Sequence, residues 1–273
     1  MEYAALMVHF DATPKAASRL RLAADLADRF QAALIGVAGR SYLPSFLADG
    51  DIAADERNEA ERHEMMNLLA EMEKKFRTAV RHINHVEWRG KLDYANDLVP
   101  RDARAADLIV IGRKRDPDDL YYTLDPGLTI LRAGRPVLVV PNGIDALAAR
   151  RVVVAWKDTR EARRAVRDAL PFLREAEEVT IAEVCEFGTE TQSQSRITDV
   201  TDYLLRHKVI VAAKSTLHTN QSIANELLRL AKDERADLIV AGGYGHSRLG
   251  EWIFGGVTRD LLASSAICCL FSH

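Results

Sequence analysis

The chain has 273 residues, of which 48% are hydrophobic and 28% are charged, and its formal net charge is -3. This length suits two domains of ordinary size, and the composition supplies enough apolar residues for packed cores. The charge lacks the basic excess of a general nucleic-acid binder. No run of about 18 apolar residues is present, so we expect no membrane span.

The N-terminus and the cysteines indicate the compartment. Met1 and Glu2 lead directly into an apolar segment without the basic region or cleavage site of a signal peptide, so we expect a cytoplasmic protein. Cys185, Cys268 and Cys269 form neither a disulfide framework nor a metal-ligand spacing. The histidines show no paired spacing either, so we predict no metal site.

The first half of the chain alternates apolar strand-like segments with segments of helical periodicity. The predicted strands cover residues 3–10, 33–38, 83–88, 107–111 and 136–140. The predicted helices cover residues 14–30, 51–79, 92–105 and part of 121–133. Glycine and proline predict a loop over residues 39–50.

The second half repeats this order. The predicted strands cover residues 151–156, 179–184, 209–213, 238–241 and 267–271, and a polar loop covers 186–195. The predicted helices cover residues 159–174, 197–207, 223–233 and 257–263. The segments 107–112 and 237–242, DLIVIG and DLIVAG, match at five of six positions. A repeated element order of this kind indicates a duplicated unit.

Alternating strands and helices predict two tandem α/β domains of the flavodoxin-like, doubly wound type. We place the domains at residues 1–143 and 149–273, with a linker at Pro141-Asn142-Gly143. Each domain is expected to hold its own five-stranded parallel sheet, and a pseudo-twofold axis should relate the two sheets. Ligands of such sheets bind at the carboxyl ends of the strands, near the first and fourth strand of each domain.

A glycine-rich loop follows the fourth predicted strand of the second half. It begins at Gly242-Gly243-Tyr244-Gly245 and ends at Gly255-Gly256, just before a predicted helix. Glycines let backbone N–H groups approach an anion, and a helix N-terminus offers unpaired N–H donors. The loop therefore suits a phosphate chain, although a glycine-rich turn after a strand is common without such a role.

The spacing of Gly242, Gly245 and Gly255, followed by Val257 and Thr258, resembles the nucleotide loop G-x2-G-x9-G-[ST] of the universal stress protein family. The element order of both halves is similar to tandem members of that family, with the adenine nucleotide alpha hydrolase-like fold. The resemblance implies a protein of the stress response that binds ATP, AMP or a related adenine nucleotide, with Mg²⁺ a further expectation. In the family, ribose and adenine lie near the first two strands and the triphosphate lies on this loop.

The resemblance places a nucleotide site in the second half. Its residues are Gly242, Gly243, Gly245, His246, Ser247, Arg248, Gly255, Gly256, Val257, Thr258, Ala155, Lys157 and Asp158. The chain departs from the family pattern at two of them. Gly256 replaces the usual Ser or Thr, and Lys157 stands where the family has an acidic residue, with Asp158 one position later.

The first half shows the opposite pattern. Asp11 keeps the acidic residue after the first strand, where it could instead cap a helix. Arg115 and Asp125 replace the second and third loop glycines, so their side chains would fill the cradle. We therefore expect a degenerate first domain that binds no nucleotide.

The leading hypothesis is a non-catalytic sensor or regulator that binds nucleotide in its second domain and contacts a protein partner not identified by the sequence. We assign no catalytic residue. The alternatives are a slow ATPase and a nucleotide-independent scaffold or small-molecule carrier. We expect an intramolecular pseudo-dimer, and a homodimer of chains is compatible with the pattern.

Overall fold

The computed structural model describes residues 2–11, 13–41, 52–113, 124–185, 190–218, 222–245 and 256–273. Strands and helices alternate along most of the described chain. Among the described residues, no helix is both long enough and apolar enough to cross a bilayer.

The first half contains five strands and four α-helices within its described residues, with a short 3-10 turn at Ala103–Ala105. In chain order they are β1 (Ala5–His9), α1 (Pro14–Arg29), β2 (Ala33–Gly39), α2 (Ile52–Ala79), β3 (Val86–Lys91), α3 (Ala95–Asp102), β4 (Leu108–Gly112), α4 (Pro126–Arg132) and β5 (Val137–Val140).

The described part of the second half contains five further strands and five helices. They are β6 (Arg151–Trp156), α5 (Arg160–Asp168), α6 (Leu170–Glu175), β7 (Glu178–Cys185), α7 (Glu190–Arg206), β8 (Val211–His218), α8 (Ile223–Asp233), β9 (Leu238–Gly242), α9 (Gly256–Ser264) and β10 (Cys268–Ser272).

The ten strands form one sheet in the order β3-β2-β1-β4-β5-β10-β9-β6-β7-β8. Within each half all pairs are parallel, so each half has the predicted five parallel strands. The prediction of two separate sheets is wrong, because β5 and β10 pair antiparallel and join the halves edge to edge. Val139 lies opposite Cys269 in this junction, and Leu138 lies opposite Leu270.

Helices cover both faces of the sheet. One hydrophobic cluster joins α1, α2 and α5–α7 to alternate strand residues such as Leu6 and Val8. A second cluster joins α3, α4, α8 and α9 to the intervening residues, such as Met7. This alternation explains why the strands are almost wholly apolar, since side chains of both faces are buried.

An aromatic cluster links the two halves on the first of these faces. Phe172 of α6 packs edge-on against Tyr3 and Phe30, with ring centroids 5.6 and 5.2 Å away. The Tyr3 hydroxyl donates to the Asp168 carbonyl at 2.6 Å, and Arg29 pairs with Glu175 at 2.6 Å. The halves are therefore joined by side-chain packing as well as by the sheet.

Candidate functional site

The crevice of the second half lies where β6 and β9 end side by side. These strands are neighbours in the sheet, and the helices that follow them cover opposite faces. A Cβ added to Gly242 would lie 2.7 Å from the amide nitrogen of Ala162, so the end of β9 touches the first turn of α5. A side chain at this position would separate the two backbones, which explains the glycine.

The first turn of the glycine loop is fixed by protein contacts. Gly243 is buried, and its N–H donates to the Ser272 carbonyl at 2.8 Å. Tyr244 has a positive φ of 50°, and its N–H donates to the Thr258 hydroxyl at 3.1 Å. Thr258 is itself buried. Its hydroxyl oxygen therefore already accepts a hydrogen bond from the backbone of the loop.

The Tyr244 side chain reaches into the first half. Its hydroxyl lies against Gly127 at the start of α4, where an added Cβ would collide with it. Burial and the nearby Asp125 carboxylate raise the pKa of Tyr244 to about 12. The phenol is therefore neutral near pH 7, and it connects the loop of the second half to a helix of the first.

Gly245 lies at the open end of this turn. It is exposed, and an added Cβ would be 3.4 Å from a carboxylate oxygen of Glu161. Burial raises the pKa of Glu161, but hydrogen bonds from Arg160, from its own backbone N–H and from Thr159 outweigh this effect and lower it. The sequence analysis did not identify this ionised carboxylate, although an acidic residue two positions after the helix-capping Thr159 is a pattern that could have indicated it.

The start of α9 forms the other side of the crevice. Gly256 is exposed, and no described atom lies within 4 Å of the place where its Cβ would be. Val257 is half-buried. The first N–H groups of a helix have no acceptor within the helix, and they carry its positive dipole end. No described residue outside α9 covers this helix start, which is therefore suited to an anion.

The predicted residues at the end of β6 lie in different surroundings. Ala155 is half-buried within the sheet beside Ala241. Lys157 and Asp158 are exposed, and Asp158 pairs with Arg163 of α5 at 2.9 Å. Asp158 therefore lines a groove between α5 and α7. The remaining predicted site residues, His246, Ser247, Arg248 and Gly255, lie outside the described residues, as does Arg115.

The equivalent crevice of the first half contains an ion pair. Arg19 of α1 donates to Asp11 at 2.8 Å and to the His9 carbonyl at 2.9 Å. Its guanidinium also occupies the space where Gly112 would carry a Cβ. The sequence analysis did not identify Arg19, because one arginine in an amphipathic helix is usually exposed.

Charge in this cluster shifts two pKa values. Burial raises the pKa of Asp11, but Arg19, His9 and the hydrogen bonds from Thr13 and Arg19 outweigh it and bring the value to about 2. Burial lowers the pKa of His9 to about 4, with Asp11 opposing this shift and Arg19 and Arg40 adding to it. Thr13 directly precedes α1, yet its hydroxyl donates to the Asp11 carboxylate rather than capping the helix.

The start of α4 is also closed. The Asp125 carboxylate accepts from the Leu128 N–H at 3.1 Å, and it therefore caps the helix. The Asp125 N–H donates to the Asn96 side chain at 2.7 Å. At the described residues, then, the first-half crevice is filled by its own side chains, while the start of α9 is open.

Comparison with known proteins gives a family match within the second half of the chain and a similar fold for the whole chain. The model of the universal stress protein family matches residues 148–271. No curated protein matches the sequence. A solved universal stress protein from Archaeoglobus fulgidus is similar over 99% of this chain and 98% of its own, with 13% identity and a TM-score of 0.67.

Two further solved structures are similar. A functionally unknown protein from Pseudomonas aeruginosa covers 98% of this chain and 92% of its own, with 12% identity and a TM-score of 0.59. A universal stress protein in complex with cAMP covers 52% of this chain and all of its own, with 19% identity and a TM-score of 0.36.

Proposed function

The model of the universal stress protein family matches residues 148–271, and on this basis we propose that the chain is a stress-related member of this family that binds an adenine nucleotide in its second half. In this proposal, residues 1–143 and 149–273 are its two domains. The phosphates of ATP or a related nucleotide lie at the start of α9, and the sugar and base lie toward the end of β6.

The contrast between the starts of α4 and α9 carries the proposal. The two helices follow equivalent strands, and the N-terminus of α4 is capped by the Asp125 carboxylate. At α9 the position equivalent to Asp125 is Gly255, which has no side chain, and the described helix begins at the exposed Gly256. Among the described residues no carboxylate caps α9, and such a helix start is a favourable place for phosphate, so the second half is the better candidate.

The proposed role is binding rather than hydrolysis. The Glu161 carboxylate beside Gly245 is hydrogen-bonded to Arg160 and to its own backbone, and its pKa is lowered. A carboxylate so engaged is a poor general base for activating water. Tyr244 joins the loop to α4, so the first domain would sense the loop through this side chain.

Replacement of Gly256 by Asp tests the site by placing a carboxylate at the start of α9, one position after the equivalent of Asp125. An acidic residue at a helix start stabilises the helix by about 0.3–1 kcal/mol, so we expect the variant to fold. A carboxylate about 4 Å from a phosphate costs about 1 kcal/mol in water and more in a crevice. We expect ATP affinity, measured by isothermal titration calorimetry, to fall by about tenfold or more.

The matched control is Ser264→Asp, which adds the same charge to an exposed position at the other end of α9. Its ATP affinity should equal that of the unmodified protein, at one nucleotide per chain. Equal affinity for the Gly256→Asp variant would refute the placement of the phosphates.

A nucleotide-independent scaffold or carrier is the second candidate, and Glu161 favours it. An ionised carboxylate beside Gly245 repels phosphate, and the Thr258 hydroxyl is already engaged by Tyr244. No detectable binding of ATP, AMP or cAMP to the unmodified protein would select this candidate.

A further inference from the structure

A cavity separate from the glycine loop lies between α5 and α7, which cover the same face of the sheet. Its volume is about 510 Å³, within the range of small-molecule sites. Trp156, Val166, Val200 and Tyr203 supply an apolar floor. Val166, Val200 and Trp156 are themselves buried, so the floor belongs to the packed core of the second half.

Four arginines surround this floor: Arg163, Arg164, Arg167 and Arg196. Each is oriented by a neighbouring oxygen, namely Asp158 at 2.9 Å, the His273 carbonyl at 2.7 Å, Asp168 at 2.9 Å and Glu183 at 2.8 Å. These contacts engage one or two nitrogens of each guanidinium, which has five N–H donors in all. The rim is therefore held in place and retains the capacity to donate to a ligand.

The charge of the lining favours a singly charged anion. The four arginines are balanced by the lining residues Asp158 and Asp199 and by Asp168 and Glu183, which pair with Arg167 and Arg196, so the rim supplies guanidinium N–H donors without a net positive charge. A multiply charged phosphate chain would meet repulsion from both aspartates. A monoanion needs only one or two guanidinium partners, and a planar carboxylate matches the paired N–H groups of arginine.

The indole nitrogen of Trp156 supplies a second observation. It is buried and has no hydrogen-bond partner in the described part of the chain. A buried donor without a partner is costly and is uncommon in native proteins. Trp156 also lines the cavity, but its indole nitrogen has almost no contact with solvent, so a ligand oxygen would reach this donor only if neighbouring side chains shift.

We propose that the α5–α7 cavity binds a small organic carboxylate with an apolar body. The apolar body would cover Trp156, Val166, Val200 and Tyr203, and the carboxylate would pair with the arginine rim. This site is distinct from the proposed phosphate position, since neither the glycine loop nor α9 contributes to its lining, although Asp158 and the end of β6 adjoin both sites.

Decanoate, kept below its micelle concentration, is the probe for this cavity. The test variant is the double substitution Arg163→Gln/Arg167→Gln, at two largely exposed rim side chains whose loss should leave the fold intact. The matched control is Arg206→Gln/Arg229→Gln, which removes the same charge from exposed positions on α7 and α8. Calorimetry should show one decanoate per chain, with affinity reduced about tenfold in the rim variant and unchanged in the control.

Two ligand controls complete the test. Acetate carries the charge without the apolar body and should not bind measurably, and saturating inorganic triphosphate, a probe of the phosphate position at α9 alone, should leave decanoate affinity unchanged. The Gly256→Asp variant should bind decanoate normally, so the failure of one site is distinguishable from that of the other. Absence of decanoate binding, equal affinity in the rim variant, or competition by inorganic triphosphate would each overturn the proposal.

Discussion

His9, at the end of β1, is a buried histidine whose pKa is lowered to about 4 by burial. In the unfolded chain a histidine has a pKa of about 6.5. Between pH 6.5 and 4 this histidine is therefore protonated in the unfolded chain and neutral in the folded protein. The stability contributed by neutral His9 is present at neutral pH and is lost as the pH falls through this window.

Replacement of His9 by Gln removes this titration. The pKa of His9 is lowered to about 4. Between pH 7 and pH 4 the free energy of unfolding of the unmodified protein should therefore fall by roughly 3 kcal/mol more than that of the variant. Urea unfolding at a series of pH values measures the difference. The exposed Leu205 provides the control, since Leu205→Gln neither adds nor removes a titrating group and should leave the pH dependence unchanged. Parallel curves for the His9→Gln variant and the unmodified protein would contradict the burial argument.

For single residues, the sequence indicated which side chains have useful chemistry better than it indicated where the fold places them. The glycines of the loop could be identified because their spacing is a pattern along the chain. Arg19 and Glu161 could not be identified in this way, because each reaches a crevice only where a helix packs against the ends of two strands. Asp125 was expected to fill the first-half cradle; its carboxylate accepts from the helix backbone, an arrangement that a single sequence position does not specify.

Among the helices, those with strong periodicity and clear ends were predicted well. The helix predicted over residues 223–233 is α8 with the same bounds. The helix predicted over residues 159–174 is divided into α5 and α6, with Pro171 in the first turn of α6. Residues 190–195 were expected in a loop because they are polar, yet they form the first turns of α7, where Ser193 and Arg196 bond to the buried Glu183.

The cap of α4 gives a prediction for one element. Asp125→Ala removes the acceptor of the Leu128 N–H at the start of a helix of seven residues. We expect the free energy of unfolding to fall by about 1 kcal/mol, which is typical for the loss of an N-cap. Asp125→Asn retains a side-chain acceptor and should lose much less. Urea midpoints compare the three proteins, and equal losses in both variants would show that the cap is not the cause.

For the whole molecule, the sequence predicted two repeats but not how they join. The segments 137–140 and 268–272 each consist mostly of apolar residues, and such a pattern suits any buried strand. Their antiparallel pairing joins residues about 130 positions apart. Long-range pairing of this kind leaves no local trace in a sequence, because it depends on the docking of two complete units.

The joined sheet and the Phe172 cluster imply that the two halves unfold together. Phe172 is fully buried in α6 of the second half, yet it packs against Tyr3 and Phe30 of the first. Phe172→Ala should lower the free energy of unfolding by about 3–5 kcal/mol, because a large cavity would remain between the halves. If the chain is one cooperative unit, calorimetry should show a single unfolding transition that moves to lower temperature as a whole.

Phe76→Ala is the matched comparison for this last prediction. Phe76 is also fully buried, but it packs against Phe10 and Trp88, which both belong to the first half. In a cooperative molecule both substitutions shift the same transition, and hydrogen exchange in β1 and β6 accelerates together in each variant. Two resolved transitions, with Phe76→Ala moving only one of them, would show that the halves are independent in stability despite the continuous sheet.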